Sequence, residues 1–123
     1  MIKGQSPINV CPIDCATSED VIWLSGFLEG EGTFRYGGRR KKCGAISVGS
    51  SDKDVLERAS CLMGGHVYED TSPSSMSRKT IWRCSISGYR ARRTMEEVLP
   101  HMGSRRAAKI QELLAISGWG FLR

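Results

Sequence analysis

A chain of 123 residues has room for one domain with a real core, and no stretch of it is apolar enough to span a bilayer. Eighteen Lys and Arg against 13 Asp and Glu leave a net charge of +5, while five cysteines form an odd set whose one close pair, Cys11 and Cys15, has no second half to complete a zinc site. The N-terminus lacks the basic and apolar regions of a signal peptide, so the chain is expected to be intracellular and reduced.

Residues 1 to 17 carry Gly4, Pro7 and Pro12 among scattered apolar residues and read as an irregular arm, leaving 18 to 123 as a single domain. A first helix is expected to start after Thr17 or Ser18, with Glu19 and Asp20 favourably placed in its first turn, and to end near Leu28. A strand over about residues 33 to 39 and another over 42 to 49 form a hairpin turning near Gly37-Gly38. In the second strand Ile46 and Val48 alternate with Ala45 and Ser47, predicting one buried and one small, polar face. Ser51 and Asp52 open a second helix, in which Val55, Leu56, Ala59, Leu62 and Met63 repeat at helical spacing until Gly64-Gly65 stops it.

A third strand is expected over residues 66 to 70, then a Ser/Pro-rich loop, then a fourth strand over 79 to 87 with Trp82, Cys84 and Ile86 on one face. Cys61 in the second helix and Cys84 in this strand read as small core or sheet residues. A third helix follows over 89 to 99, broken by Pro100, and a fourth over 104 to 117 carries Ala107, Ala108, Ile110, Leu113, Leu114 and Ile116. The order αββαββαα predicts an α+β fold: four antiparallel strands with helices on one face and the other face open.

Charge is unevenly distributed. Residues 35 to 42 hold Arg35, Arg39, Arg40, Lys41 and Lys42 without an acid, and residues 71 to 95 hold Arg78, Lys79, Arg83, Arg90, Arg92 and Arg93 without one. Residues 1 to 34 hold one Lys against five acids. Such segregation predicts a one-sided field that attracts a polyanion, and nucleic acid is the natural candidate, because neutralised phosphates release counterions.

The run Trp23-Leu24-Ser25-Gly26-Phe27-Leu28-Glu29-Gly30-Glu31-Gly32 is the most informative in the chain. Gly26 costs a helix interior about 1 kcal/mol relative to alanine, a cost offset where a second backbone packs closely against it. Trp23 and Phe27, four apart, share that face. Glu29 and Glu31 stand where the helix dipole disfavours acids.

Leu24 to Gly32 resembles the signature of the LAGLIDADG homing endonucleases at all nine positions in kind, with glutamate at the last acid in place of the commoner aspartate. The resemblance covers roughly residues 18 to 117. It implies a saddle-shaped sheet set on the DNA major groove and a motif helix paired with its copy, through Trp23, Leu24, Gly26, Phe27 and Gly30. It implies that Glu31 holds a divalent metal, with the Gly30 carbonyl as second donor. Mg²⁺ suits such oxygen ligands, and Mn²⁺ or Ca²⁺ could occupy the same position. It also implies catalytic roles for Ser50, where the family often has glutamine, and for Arg105, where it often has lysine.

Residues expected on the DNA face are Arg35, Gly37, Arg39, Arg40, Lys41, Cys43, Ala45, Ser47, His66, Tyr68, Asp70, Arg83 and Ser85. Arg35 and Arg83 are the candidates for guanine readout, since guanidinium can bond O6 and N7 together. With one motif per chain, the resemblance implies a homodimeric, Mg²⁺-dependent, sequence-specific DNA endonuclease on a roughly palindromic site, with no membrane or small-molecule partner. The alternative is a binding module of the same descent, an RNA maturase or transcription regulator that does not cut.

Overall fold

In the computed structural model, residues 11–37, 43–70 and 80–116 are described. Helix α1 (Ser18–Glu31) starts at a reciprocal cap: the Thr17 hydroxyl accepts the Asp20 N–H at 3.1 Å, and the Asp20 carboxylate accepts the Thr17 N–H at 3.2 Å. Those bonds hold the Asp20 carboxyl below its ordinary range. The helix then runs three residues past its expected end, so Glu29, Gly30 and Glu31 form its last turn, and Glu31 is its final residue.

Strands β1 (Gly32–Gly37) and β2 (Cys43–Ser50) pair antiparallel, with Phe34 opposite Ile46 and Arg35 opposite Ala45. The expected turn between them lies outside the described residues. Helix α2 (Lys53–Met63) ends as the sequence predicts, at Gly64, whose φ of 81° places it in the left-handed region. Strand β3 is only Tyr68–Glu69, shorter than expected, and β4 (Trp82–Ser87) also starts late. Gly65 accounts for part of the late start of β3: a Cβ there would lie 2.7 Å from Cys84 Sγ, so the backbone passes against β4 before pairing begins. Helix α3 (Tyr89–Val98) passes through a 3-10 turn at Leu99–His101 into α4 (Ser104–Leu114).

The strand order is β1-β2-β4-β3, antiparallel throughout. Phe34, Ile46, Val48, Cys84 and Ile86 point to one face and are buried with Leu24, Leu28, Leu56, Met63, Met95, Val98, Ile110 and Leu113 of the helices. Thr33, Arg35, Ser47, Arg83 and Ser85 alternate to the other face, which no helix among the described residues covers. The sequence predicts this α+β arrangement.

Two local expectations are corrected. Cys61 is exposed rather than a core residue, while Cys84 is fully buried; Ala108 is exposed on α4. Cys11 and Ile13, in the part of the arm that is described, belong to the core, carried there by a 3-10 turn at Pro12–Cys15. Among the described residues no helix is long and apolar enough to cross a membrane, and all five cysteines are free.

Candidate functional site

The two acids at the end of α1 have opposite surroundings. Glu29 reaches the start of α4, where its Oε1 accepts the Gly103 N–H at 2.9 Å and its Oε2 lies 3.4 Å from Arg106 Nε. An acid at the unfavourable end of one helix therefore sits at the favourable end of another. Arg106 also donates through a terminal nitrogen to the Gly32 carbonyl at 2.5 Å, closing a joint between the two helices. Neither role is legible in the sequence, because the joined residues are more than 70 positions apart.

Glu31 is exposed and makes no hydrogen bond or ion pair among the described residues. It lines an open recess of about 370 Å³ with Gly49, Ser50, Ser51, Ile81 and Arg83. Arg83 lies across the Gly49 backbone, its Nη1 2.9 Å from where a Cβ would stand. Its Nε is held by Asp70 at 2.8 Å, which aims the guanidinium and leaves its terminal nitrogens as donors. Ser50 faces the same recess, its hydroxyl accepting the Asp52 N–H at 3.0 Å with its own proton still to donate. Arg105, exposed at the start of α4, lines a separate recess with Gly32, Thr33, Phe34, Arg106 and Lys109. Glu31 and Ser50 thus meet in one recess, and Arg105 stands in the other.

The donors at this helix end fit a hard cation. Glu31 offers an unengaged carboxylate, and the Gly30 carbonyl is among the last-turn carbonyls that a helix cannot satisfy within itself. Among the described residues no three His, Cys, Asp or Glu side chains cluster. That sparse oxygen set suits Mg²⁺, which keeps several waters and takes phosphate oxygens as ligands.

On the open sheet face, Arg35 lies flat, donating from Nε and Nη2 to the Ser47 hydroxyl at 3.2 and 3.0 Å, and Ser47 pairs with Ser85 at 3.1 Å. Tyr68 stands opposite Arg83 and is 49% exposed, and His66 is exposed just before β3. Cys43 is half-buried. Two expected contacts are corrected: Gly37 is buried and Ala45 is only 2% exposed, because they press together, a Cβ on Gly37 falling 2.8 Å from that of Ala45. Arg39, Arg40 and Lys41 lie outside the described residues.

Two of the cations counted toward the one-sided charge are answered by acids within the fold, while Arg39, Arg40, Lys41, Lys42, Arg78 and Lys79 lie outside the described residues. Arg93, on α3 in the helical layer, pairs with Asp14, Glu96 and Glu97, and Arg92 pairs with Glu96. These cations serve the fold on the side away from the sheet's open face.

The outward side of α1 carries no charge between Val21 and Leu28. Ile22 is 56% exposed there, and Gly26 and Gly30 have open space where a Cβ would stand. Ser25, the one polar side chain in that stretch, is buried and bonds the Val21 carbonyl at 2.6 Å. Trp23 stacks on Phe27 at 5.5 Å between ring centroids and is covered by the Arg58 guanidinium at 4.1 Å. Leu24, expected at an interface between copies, is fully buried in its own domain. Ile22, which the sequence analysis did not select, stands one turn before Gly26 on the open side.

No family model and no curated protein sequence matches this chain. Solved structures do. The homing endonuclease I-CvuI, in complex with the I-CreI target in the presence of 2 mM Mg, aligns with a TM-score of 0.61 at 16% identity, over 79% of this chain and 64% of that one. I-CvuI with its own target in 2 mM Ca aligns at 0.59 and 18% identity, over 80% and 67%. The group I intron-encoded homing endonuclease I-CeuI, complexed with DNA, aligns at 0.56 and 19%, over 80% and 54%. This chain therefore spans just under two thirds of the first of these proteins. The four-stranded antiparallel sheet, the helices on one face and the motif at the end of α1 together give this chain the fold of the LAGLIDADG homing endonucleases.

Proposed function

We propose that this chain is a sequence-specific DNA endonuclease that cuts both strands of a long, roughly palindromic site as a Mg²⁺-dependent homodimer. The observation that carries the reading is Glu31: an exposed carboxylate without a partner among the described residues, ending a helix whose outer side carries no charge between Val21 and Leu28, in the recess it shares with Arg83. A carboxylate left unpaired at a helix C-terminus is electrostatically poor, and its use as a ligand explains its presence.

In this reading Glu31 and the Gly30 carbonyl hold the ion, which when bound neutralises phosphate charge and lowers the pKa of a water. Ser50 orders solvent in the same recess. Arg83 and Arg105 bear on phosphate; an arginine is always protonated, so Arg105 stabilises charge and does not take up a proton. Arg35, Ser47, Ser85 and Tyr68 offer donors and acceptors to bases in the major groove. The uncharged side of α1, with Ile22, Gly26 and Gly30, packs on its own copy about a two-fold axis, bringing two Glu31 carboxylates together. The free cysteines suit a reducing, intracellular setting.

The test is to incubate the protein with the DNA flanking its own gene, joined without the insert, with and without Mg²⁺. Metal-dependent cutting of both strands is the expected result. Tight binding without cutting would establish the non-cutting binding module instead.

A further inference from the structure

The last turn of α1 is weak by composition. It contains Gly30, it carries two acids at the negative end of the dipole, and its terminal carbonyls have no partners within the helix. Even so the helix continues through Glu31. What holds it there is the joint with α4. Glu29 accepts the Gly103 N–H, and Arg106 spans from Glu29 to the carbonyl of Gly32, the residue directly after Glu31. The Arg106 Nε is sealed from solvent with no hydrogen-bond partner, so its interaction with Glu29 at 3.4 Å is ionic, and the bonded contact is the one to Gly32.

We propose that Arg106 is a positioning residue for the metal-binding end of α1, acting through Glu29 and the Gly32 carbonyl. The proposal rests on the reading of Glu31 as the metal ligand. Arg106 is not among the residues that line the recess of Glu31; it stands in the neighbouring one with Gly32, Thr33 and Arg105. It fixes the backbone on both sides of the ligand: Glu29 two residues before, Gly32 one residue after. Its neighbour Arg105 is set by the same helix turn, so one guanidinium holds the spacing between the ligand and a phosphate-directed cation. Lysine could not replace it fully, since a single ammonium lacks the fork that reaches both acceptors in fixed geometry.

The experiment compares wild type with Arg106→Met, Arg106→Lys and Glu31→Gln in two measurements. One is binding of Tb³⁺, a hard-cation probe excited through the tryptophans, to the protein without DNA. The other is the Mg²⁺ concentration that half-saturates cutting of the joined flanking duplex. Arg106→Met is expected to weaken Tb³⁺ binding and to raise the half-saturating Mg²⁺ about tenfold, as loss of groups that orient metal ligands does, with metal-free binding of the duplex unchanged. Arg106→Lys is expected to fall between Met and wild type, and it carries the test if the Met variant fails to fold. Superimposable Tb³⁺ titrations for wild type and Arg106→Met would overturn the proposal, as would a parallel loss of metal-free DNA binding. A Glu31→Gln variant that binds Tb³⁺ like wild type removes the ligand itself, a distinct result that overturns the premise.

Discussion

Arginines of the helical layer and of the open sheet face differ in what answers their charge. On α3, Arg93 is met by Asp14, Glu96 and Glu97 and is only 24% exposed; burial works against its charge, yet the three carboxylates raise its pKa above the ordinary arginine value. On the sheet, Arg35 is met by a serine hydroxyl and Arg83 by one carboxylate at its Nε. Cations surrounded by acids fasten elements of the fold to each other, whereas a guanidinium resting on a hydroxyl, as Arg35 does, or held by one carboxylate at its Nε, as Arg83 is, keeps donors to offer to phosphate or base. A basic run in the sequence therefore overstates the field available to a ligand until each charge has been assigned its partner.

That contrast has an acidic counterpart in Glu29 and Glu31, and the sharpest way to test it is to neutralise Glu31, the acid that no described residue answers. Glu31→Gln is expected to cut DNA about a thousandfold more slowly, with the unfolding midpoint and DNA affinity little changed. Single-turnover cleavage together with thermal unfolding measures both. Arg93→Ala should do the reverse, lowering stability by about 2 kcal/mol because three carboxylates lose their shared partner, with no change in DNA affinity below the melting transition. Urea unfolding and a DNA-binding titration decide it; a weaker complex with unaltered stability would erase the distinction between the two sets of arginines.

Arg83→Ala should leave stability within about 0.5 kcal/mol of wild type and weaken DNA binding about tenfold, with the dependence on salt reduced by about one ion. Affinities measured across a salt series give both numbers. The smallest effect is expected at the pair formed by the Tyr36 hydroxyl, which donates to Glu112 on α4. That bond, helped by Lys109, lowers the Glu112 carboxyl below its ordinary value of 4.5. A carboxyl depressed in the folded state adds stability above its unfolded pKa and loses it as the pH falls through the folded one. Tyr36→Phe should therefore lower the melting temperature slightly near neutrality and flatten its fall below pH 4.5, so that the two proteins converge in acid; melting curves across a pH series check it.

The start of α1 was legible because its determinants are local: Thr17 and Asp20 are three residues apart and cap each other. Its end was not. Glu29, Gly30 and Glu31 look like a stop, and the groups that keep them helical lie far along the chain at Gly103 and Arg106. The stop of α2 at Gly64 was legible for the same local reason, a left-handed residue that glycine adopts freely. Alternation separated Cys84 and Ile86 from Arg83 and Ser85 correctly, yet alternation alone could not reveal that Gly37 and Ala45 would close over each other. The motif directed attention to Glu31; that Arg83 shares its recess came only with the pairing of Gly49 and Arg83 across β2 and β4. The resemblance placed Leu24 at a contact between copies, but a stretch apolar all round does not declare which side meets the core, and Leu24 turned inward while Ile22 faced out.

A sheet with one bare face is exposed to self-association along its edges, where unpaired amides and carbonyls can add a strand from another molecule. Here the outer strands are poor templates. At β1 the first outward carbonyl, that of Gly32, is occupied by Arg106, and α4 lies against the strand. At the opposite edge β3 offers only Tyr68 and Glu69, too short a rail for another strand to ride on. The same joint that fixes the end of α1 thus also occupies a carbonyl at the sheet's edge, where a strand of another molecule would otherwise pair.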